Sequence, residues 1–188
     1  MHEHPLPLMA RVSYYVAASL DGYIAGPQGQ IDWLQAFDSA TQDYGYADFL
    51  ARVDGLVMGR KTFENALGMG AWPYPGRPTW VLTRRREAAP DSWPAGVEPT
   101  DASPTELQQV WRERSLAHVW LVGGSDVAAA FLACGQLHEL IISTLPVTLG
   151  GGRRLFAESA FARQAWRLQR VEHFDNGLVQ AHYLAASR

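Results

Sequence analysis

Cysteine is almost absent from this sequence. Cys134 is the only one in 188 residues, which excludes an intrachain disulfide and a cysteine-built zinc cluster and leads to the expectation of a reducing, cytoplasmic setting. Lysine is equally scarce: Lys61 stands alone, and arginine supplies the remaining positive charge. With a net charge of −3, the broad basic face of a nucleic-acid binder is missing. No apolar run approaches the roughly 18 residues of a membrane span, and the start, MHEHPLPLMARVSYYV, has no basic end leading into an apolar signal core. No metal site is expected, because His2 and His4 sit on a terminus (1–10) read as flexible, with no further ligand nearby. Internal repeats and long linkers are lacking too, so residues 1–188 read as one domain.

What is present is an ordinary globular composition, 47% hydrophobic and 19% charged. Apolar runs at 12–18, 55–59, 79–83, 118–123 and 139–146 read as strands, and the stretches near 41–51, 61–67, 104–114 and 125–133 between them read as helices. Alternating strands and helices predict βαβ units and a mostly parallel sheet. The end differs: two extended runs flank Asp175-Asn176-Gly177, a hairpin signal. The expectation is an α/β domain with a mixed sheet of about eight strands, finished by an antiparallel pair.

Two strand-to-helix junctions carry the chemistry. In VMGRKTFENA (57–66) Gly59 removes a side chain where a ligand could approach, Thr62 can cap the new helix, and Arg60 and Lys61 add positive charge beside its free N–H groups. In VWLVGGSDVAAAF (119–131) Gly123 and Gly124 precede Ser125, a good N-cap, and an alanine-rich helix. Both read as phosphate sites, although each also fits a plain helix start, and Asp126 in the second would compete with a bound anion. The Rossmann fingerprint G-x-G-x-x-G is absent. Instead the strand TWVLT delivers Thr83, Arg84, Arg85 and Arg86 at its carboxyl end, where ligands of open α/β sheets gather. An arginine fork there suits a ribose 2′-phosphate, hence NADPH over NADH.

In this order the segments AASLDGYIAG (17–26), GPQGQIDW (26–33), VMGRKTFE (57–64), YPGRPTWVLTRR (74–85) and LVGGSDV (121–127) resemble the dihydrofolate reductase superfamily across roughly residues 12–184. SLDGYIAG, PGRPTWVLTR and LPVTLGGGRRLF (145–156) place the resemblance nearest the reductase domain of riboflavin biosynthesis and its stand-alone bacterial relatives. A zinc deaminase signature is missing, so the two-domain form of that enzyme is not expected. The resemblance implies a three-layer fold. It also implies that Ala17 and Ile24 meet the nicotinamide carboxamide, and that Gly59, Arg60, Lys61 and Thr62 hold phosphate and ribose. Thr83 and Arg84 would meet the 2′-phosphate, and Gly123, Gly124, Ser125, Asp126 and Val127 the diphosphate. A cis peptide bond is implied between Gly123 and Gly124, and a homodimer is implied for the assembly.

The substrate side departs from dihydrofolate reductases. Register places the acid at Asp38 or Ser39 when counted from Trp33, and near Asp43 when counted from the MGR segment; Asp32, beside Trp33, is a third candidate and the one favoured here as proton donor. Each of these aspartates is also explained as a solvated loop or helix residue. Trp33, Tyr46, Phe49, Arg77 and Ser143 are the candidate substrate contacts, with Trp72 and Tyr74 as further walls. The resulting expectation is an NADPH-dependent reductase that passes hydride to a C=N or C=O of a small heterocyclic or ribosylamino-pyrimidine-like substrate. Dihydrofolate reduction proper, and nucleotide binding without turnover, are the alternatives.

Overall fold

The computed structural model describes residues 9–84, 93–159 and 163–186. His2, His4, Arg85 and Arg86 therefore lie outside the described residues, as does the expected flexible start apart from Met9 and Ala10. Ala10 is buried and its carbonyl accepts Gln108 Nε2 at 2.9 Å, so the chain is already anchored there.

Among the described residues ten strands and four α-helices follow one another as β1 (Arg11–Ser19), β2 (Tyr23–Ala25), a 3-10 helix (Asp32–Phe37), α1 (Tyr46–Ala51), β3 (Gly55–Gly59), α2 (Arg60–Gly68), β4 (Thr79–Leu82), β5 (Val97–Thr100), α3 (Pro104–Glu113), β6 (His118–Gly123), α4 (Ser125–Ala133), β7 (Glu139–Leu145), β8 (Arg153–Arg154), β9 (Trp166–His173) and β10 (Val179–Ala185). Eight of the strands form one sheet in the order β5-β4-β3-β6-β1-β7-β10-β9. Pairings from β5 to β7 are parallel, and β10 is antiparallel to both β7 and β9. This is the mixed, mostly parallel sheet with a C-terminal antiparallel pair that the sequence pattern predicts.

The central strands bury apolar side chains on both sides because both faces of the sheet are covered. Val12, Tyr14, Val57, Trp80, Val119 and Leu121 pack against Leu107 and Trp111 of α3 and Phe131 of α4. On the other face Leu56, Met58, Val81, Trp120 and Ile141 pack against Phe49 of α1 and Phe63 of α2. Helix α3 starts where chemistry places it: Ser103 and Glu106 form a reciprocal capping box and Pro104 occupies the first turn. The hairpin at 174–178 closes through Phe174 N–H to Leu178 O and Gly177 N–H to Phe174 O, both 2.9 Å, with Gly177 at φ +84.

Three differences from the sequence pattern have local causes. β5 is not among the apolar runs read as strands; its Pro99 is tolerated because β5 is the edge of the sheet. Helix α1 begins at Tyr46 rather than near 41, because Gly45 takes a left-handed conformation (φ 78) immediately before it. Finally, β2 and β8 form a separate two-stranded ribbon with Tyr23 opposite Arg154 and Ala25 opposite Arg153. Gly152 permits it: at φ +134 a side chain there would strike the Ala25 carbonyl.

Candidate active site

The two junctions predicted to bind phosphate are neighbours in space, because β3 and β6 pair in the sheet and both release their helices at its carboxyl end. A Cβ on Gly59 would sit 3.3 Å from Val127 Cγ2 and 3.8 Å from Gly124 N, and one on Gly123 or Gly124 would lie 3.6 Å from Thr62 Oγ1. The peptide between Gly123 and Gly124 is cis. The glycines thus leave a cradle between the starts of α2 and α4.

Neither helix start is capped by a side chain. Gly59 is the N-cap of α2 and Gly124 that of α4, with no side-chain cap bond at either. This corrects the expected capping roles of Thr62 and Ser125. Ser125 is the first helical residue, and its hydroxyl donates instead to the carbonyl of Arg154. First-turn N–H groups left without side-chain partners are the basis of an anion site.

These junctions open into a cavity of about 890 Å³. All thirteen residues carried over for the cofactor line it: Ala17 and Ile24 at one end, Gly59, Arg60, Lys61 and Thr62 from the first junction, Gly123, Gly124, Ser125, Asp126 and Val127 from the second, and Thr83 and Arg84 at the other end. Arg60 is engaged, with Nε donating to Glu64 Oε1 at 2.6 Å and its guanidinium 5.6 Å over the Trp93 ring. Among the described residues Lys61, Arg84 and Arg153 have no side-chain hydrogen bond or ion pair. The cavity's remaining wall is largely apolar: Ile31, Leu34, Ala66, Met69, Leu82 and Val122, with Tyr15 and Tyr74. Tyr15's hydroxyl donates to Tyr44 O at 2.9 Å, away from this cavity, whereas the Tyr74 ring packs edge-on against Trp72 and Trp120, with ring centroids 5.2 and 5.4 Å apart. Burial pushes the Tyr74 phenol up, so it stays protonated at neutral pH.

The substrate candidates are distributed differently. Trp33 and Asp32 open the 3-10 helix but stand outside the wall, which takes Ile31 and Leu34 from that segment instead; Asp32 is exposed. Tyr46 packs against Trp120 (ring centroids 5.8 Å) and against Tyr15 (6.2 Å), which is itself on the wall; Tyr46 is not. Phe49 is a core residue under α1. Ser143 is buried and accepts Gln180 Nε2 at 3.0 Å. Arg77 is half-buried rather than displayed on a turn; Nε donates to Val53 O at 3.2 Å and Nη2 to Leu50 O at 3.1 Å, tying the loop to the end of α1. Asp38 is exposed at the end of the 3-10 helix. Asp43 accepts the N–H groups of Ala47 and Gly45, both at 3.0 Å, and these bonds hold its carboxyl below the usual range. It organises the start of α1.

A second cavity of about 620 Å³ lies beyond α1, over β7, β10 and β9, with Tyr15 common to both. Sequence reasoning missed Arg153, Asn65 and Asp101 on the first wall. Only the triple glycine before Arg153 hinted that this segment approaches another backbone.

The profile of the RibD C-terminal domain matches residues 75–180, more than half of the chain. The chain belongs to that family. Relatives of this RibD-type domain include the uncharacterised Bacillus subtilis protein YwjB, 33% identical over 92% of this chain and 96% of its own. Another is the Haloferax volcanii dihydrofolate reductase HdrB, 28% identical over 74% of this chain and 68% of its own. A protein assigned to riboflavin biosynthesis from Shewanella sp. PV-4 has the same fold at a TM-score of 0.85 and 29% identity, covering 95% of this chain and 100% of that one. Enterococcus faecalis dihydrofolate reductase, solved with NADP(H), shares the fold at a TM-score of 0.64 and 22% identity, with 96% and 100% covered. The RibD-type domain is therefore a member of a reductase family with the dihydrofolate reductase-like fold. Among the described residues no helix is long and apolar enough to cross a membrane, and no cluster of His, Cys, Asp and Glu is placed to hold a metal.

Proposed function

We propose that this domain is an NADPH-dependent reductase acting on a C=N or C=O of a small heterocycle, with ribosylamino-pyrimidines the first class to test. One observation carries the reading: two uncapped helix starts and their glycine cradle open into the same cavity as Arg84 and Lys61. The cavity is large enough for a dinucleotide with a small partner and joins a cationic end to an apolar one. When bound, the dinucleotide supplies the hydride. The chain's part is to hold phosphates at the junctions, 2′-phosphate at Thr83 and Arg84, and nicotinamide near Ala17 and Ile24. The apolar end, with Ile31, Leu34, Met69 and Tyr74, excludes water around the substrate. Asp32 is retained as proton donor because it stands beside Trp33 in the segment that gives Ile31 and Leu34 to the wall; the 3-10 helix would have to turn about its axis to bring the carboxyl in.

The test is NADPH oxidation with a ribosylaminouracil phosphate and with dihydrofolate in parallel. Turnover of the first and not the second supports the reading; the reverse makes the domain a folate reductase. NADPH binding with no oxidation of either would leave a nucleotide-binding protein. We also propose a cytoplasmic homodimer of single domains, the dimer supported by Leu168, Val171 and Val179, all exposed on the β9–β10 edge. A sedimentation coefficient of a 20.8 kDa monomer at micromolar concentration would end the dimer proposal.

A further inference from the structure

We propose that Arg153 is a cofactor-binding residue that grips the diphosphate common to NADPH and NADH. The inference rests on the dinucleotide reading above and adds an anchor from a different part of the chain. Arg153 is half-buried on the cavity wall, and its guanidinium has no hydrogen bond or ion pair among the described residues. A partly desolvated guanidinium keeps its charge, so it is stabilised only when an anion takes the place of lost water.

The ribbon decides where that charge stands. Arg153 pairs with Ala25, directly after Ile24, and the carbonyl of Arg154 accepts the Ser125 hydroxyl at the first turn of α4. Ala157 N–H donates to Ser125 O at 3.2 Å, fastening the same segment one step further on. Strand alternation turns Arg154 away, over the Tyr23 ring at 5.3 Å, and leaves Arg153 on the cavity side. Arg153 therefore shares the cavity wall with the glycine cradle, on a segment fastened to the start of α4, and offers the planar donor fork that matches phosphate oxygens. Arg84 and Thr83 follow β4, near the opposite edge of the sheet, so the 2′-phosphate end and the Arg153 end are separate. Asp126, the carboxylate in the first turn of α4, is the one objection to an anion here. The positive charge of Arg153 offsets it.

The experiment is calorimetric titration with NADPH and, separately, NADH, on wild type, Arg153→Ala, Arg153→Lys and the remote Arg167→Ala. Arg153→Ala is expected to weaken both dinucleotides by the same factor, about 10- to 100-fold for one charge-assisted phosphate contact. Arg153→Lys should recover part of the loss and Arg167→Ala should change nothing. Thermal midpoints verify folding, and Arg153→Gln repeats the comparison if the alanine variant is destabilised. Unchanged affinity, or a loss confined to NADPH, overturns the proposal. Failure of wild type to bind either dinucleotide removes the dinucleotide reading itself, and this inference with it.

Discussion

Asp21, in the turn after β1, accepts the backbone N–H of Gly150 at 2.8 Å from 129 residues away, and that of Leu149 at 3.1 Å. Its other partner is the Ser19 hydroxyl at 2.6 Å. One carboxylate thus joins the loop that delivers Ile24 to the glycine-rich segment that delivers Arg153.

Ser19's hydroxyl and then the two N–H groups hold the Asp21 carboxyl down at about 2. A depressed acid contributes its stabilisation above the unfolded value and loses it as pH falls through the folded one. The fastening should therefore persist at neutral pH and release between about pH 4 and 2. Asp21→Ala should speed amide exchange at Leu149 and Gly150 on the order of tenfold at neutral pH. Unchanged protection at those two amides would show that the carboxylate holds nothing.

Three histidines predict a different pH dependence. Burial lowers the pKa of His118, His138 and His182 from the ordinary 6.5. His138 Nδ1 accepts the Val12 N–H at 3.0 Å, a bond that requires the neutral ring. Arg11 adds to the lowering at His138, and Arg170 at His182, while Glu139 opposes it at His118 and His182. The unfolded chain takes up these protons first, so stability is full above about pH 6.5 and falls as the solution is acidified. Thermal midpoints measured from about pH 7.5 to 5.5 should decline. His138→Gln should flatten the slope. A flat profile in the parent protein contradicts the assignment.

Cofactor preference should reside in Arg84. Arg84→Ala is expected to cost NADPH about 1.5 to 3 kcal/mol of binding while leaving NADH nearly unaffected. Asp101 shares the wall with Arg84, and its negative charge disfavours a 2′-phosphate; Asp101→Asn should accordingly raise the preference for NADPH. Equal affinity of the parent for both dinucleotides would contradict the arginine assignment.

Proton delivery separates two candidates. With a substrate that turns over and NADPH saturating, Asp32→Asn should lower kcat by about 100-fold, the scale of a lost general acid. Asp38→Asn and Asp43→Asn should not. Tyr74→Phe is the decisive companion, because Tyr74 is on the wall whereas Asp32 is exposed beside it. A large loss in Tyr74→Phe with none in Asp32→Asn would transfer the role to the phenol.

The parts of this protein legible in its sequence are those set by neighbours along the chain. Apolar runs bounded by glycine gave β3, β6 and their helices, and Asp175-Asn176-Gly177 gave the hairpin. Each depends on residues within one turn of one another, where backbone sterics and hydrogen-bonding chemistry act without the rest of the fold.

Tertiary structure decided what depends on distant partners. The β2–β8 ribbon exists because Ala25 meets Arg153 across 128 positions, and two- or three-residue strands have no periodicity to read. Arg77 and an exposed arginine look identical in sequence; the carbonyls of Leu50 and Val53 distinguish them. Ser125 has the residue type of an N-cap, yet the Arg154 carbonyl claims its hydroxyl and leaves the helix start open. Local sequence sets which groups a segment offers. Only folding the chain decides which distant group satisfies them, and which of them remain free for a ligand.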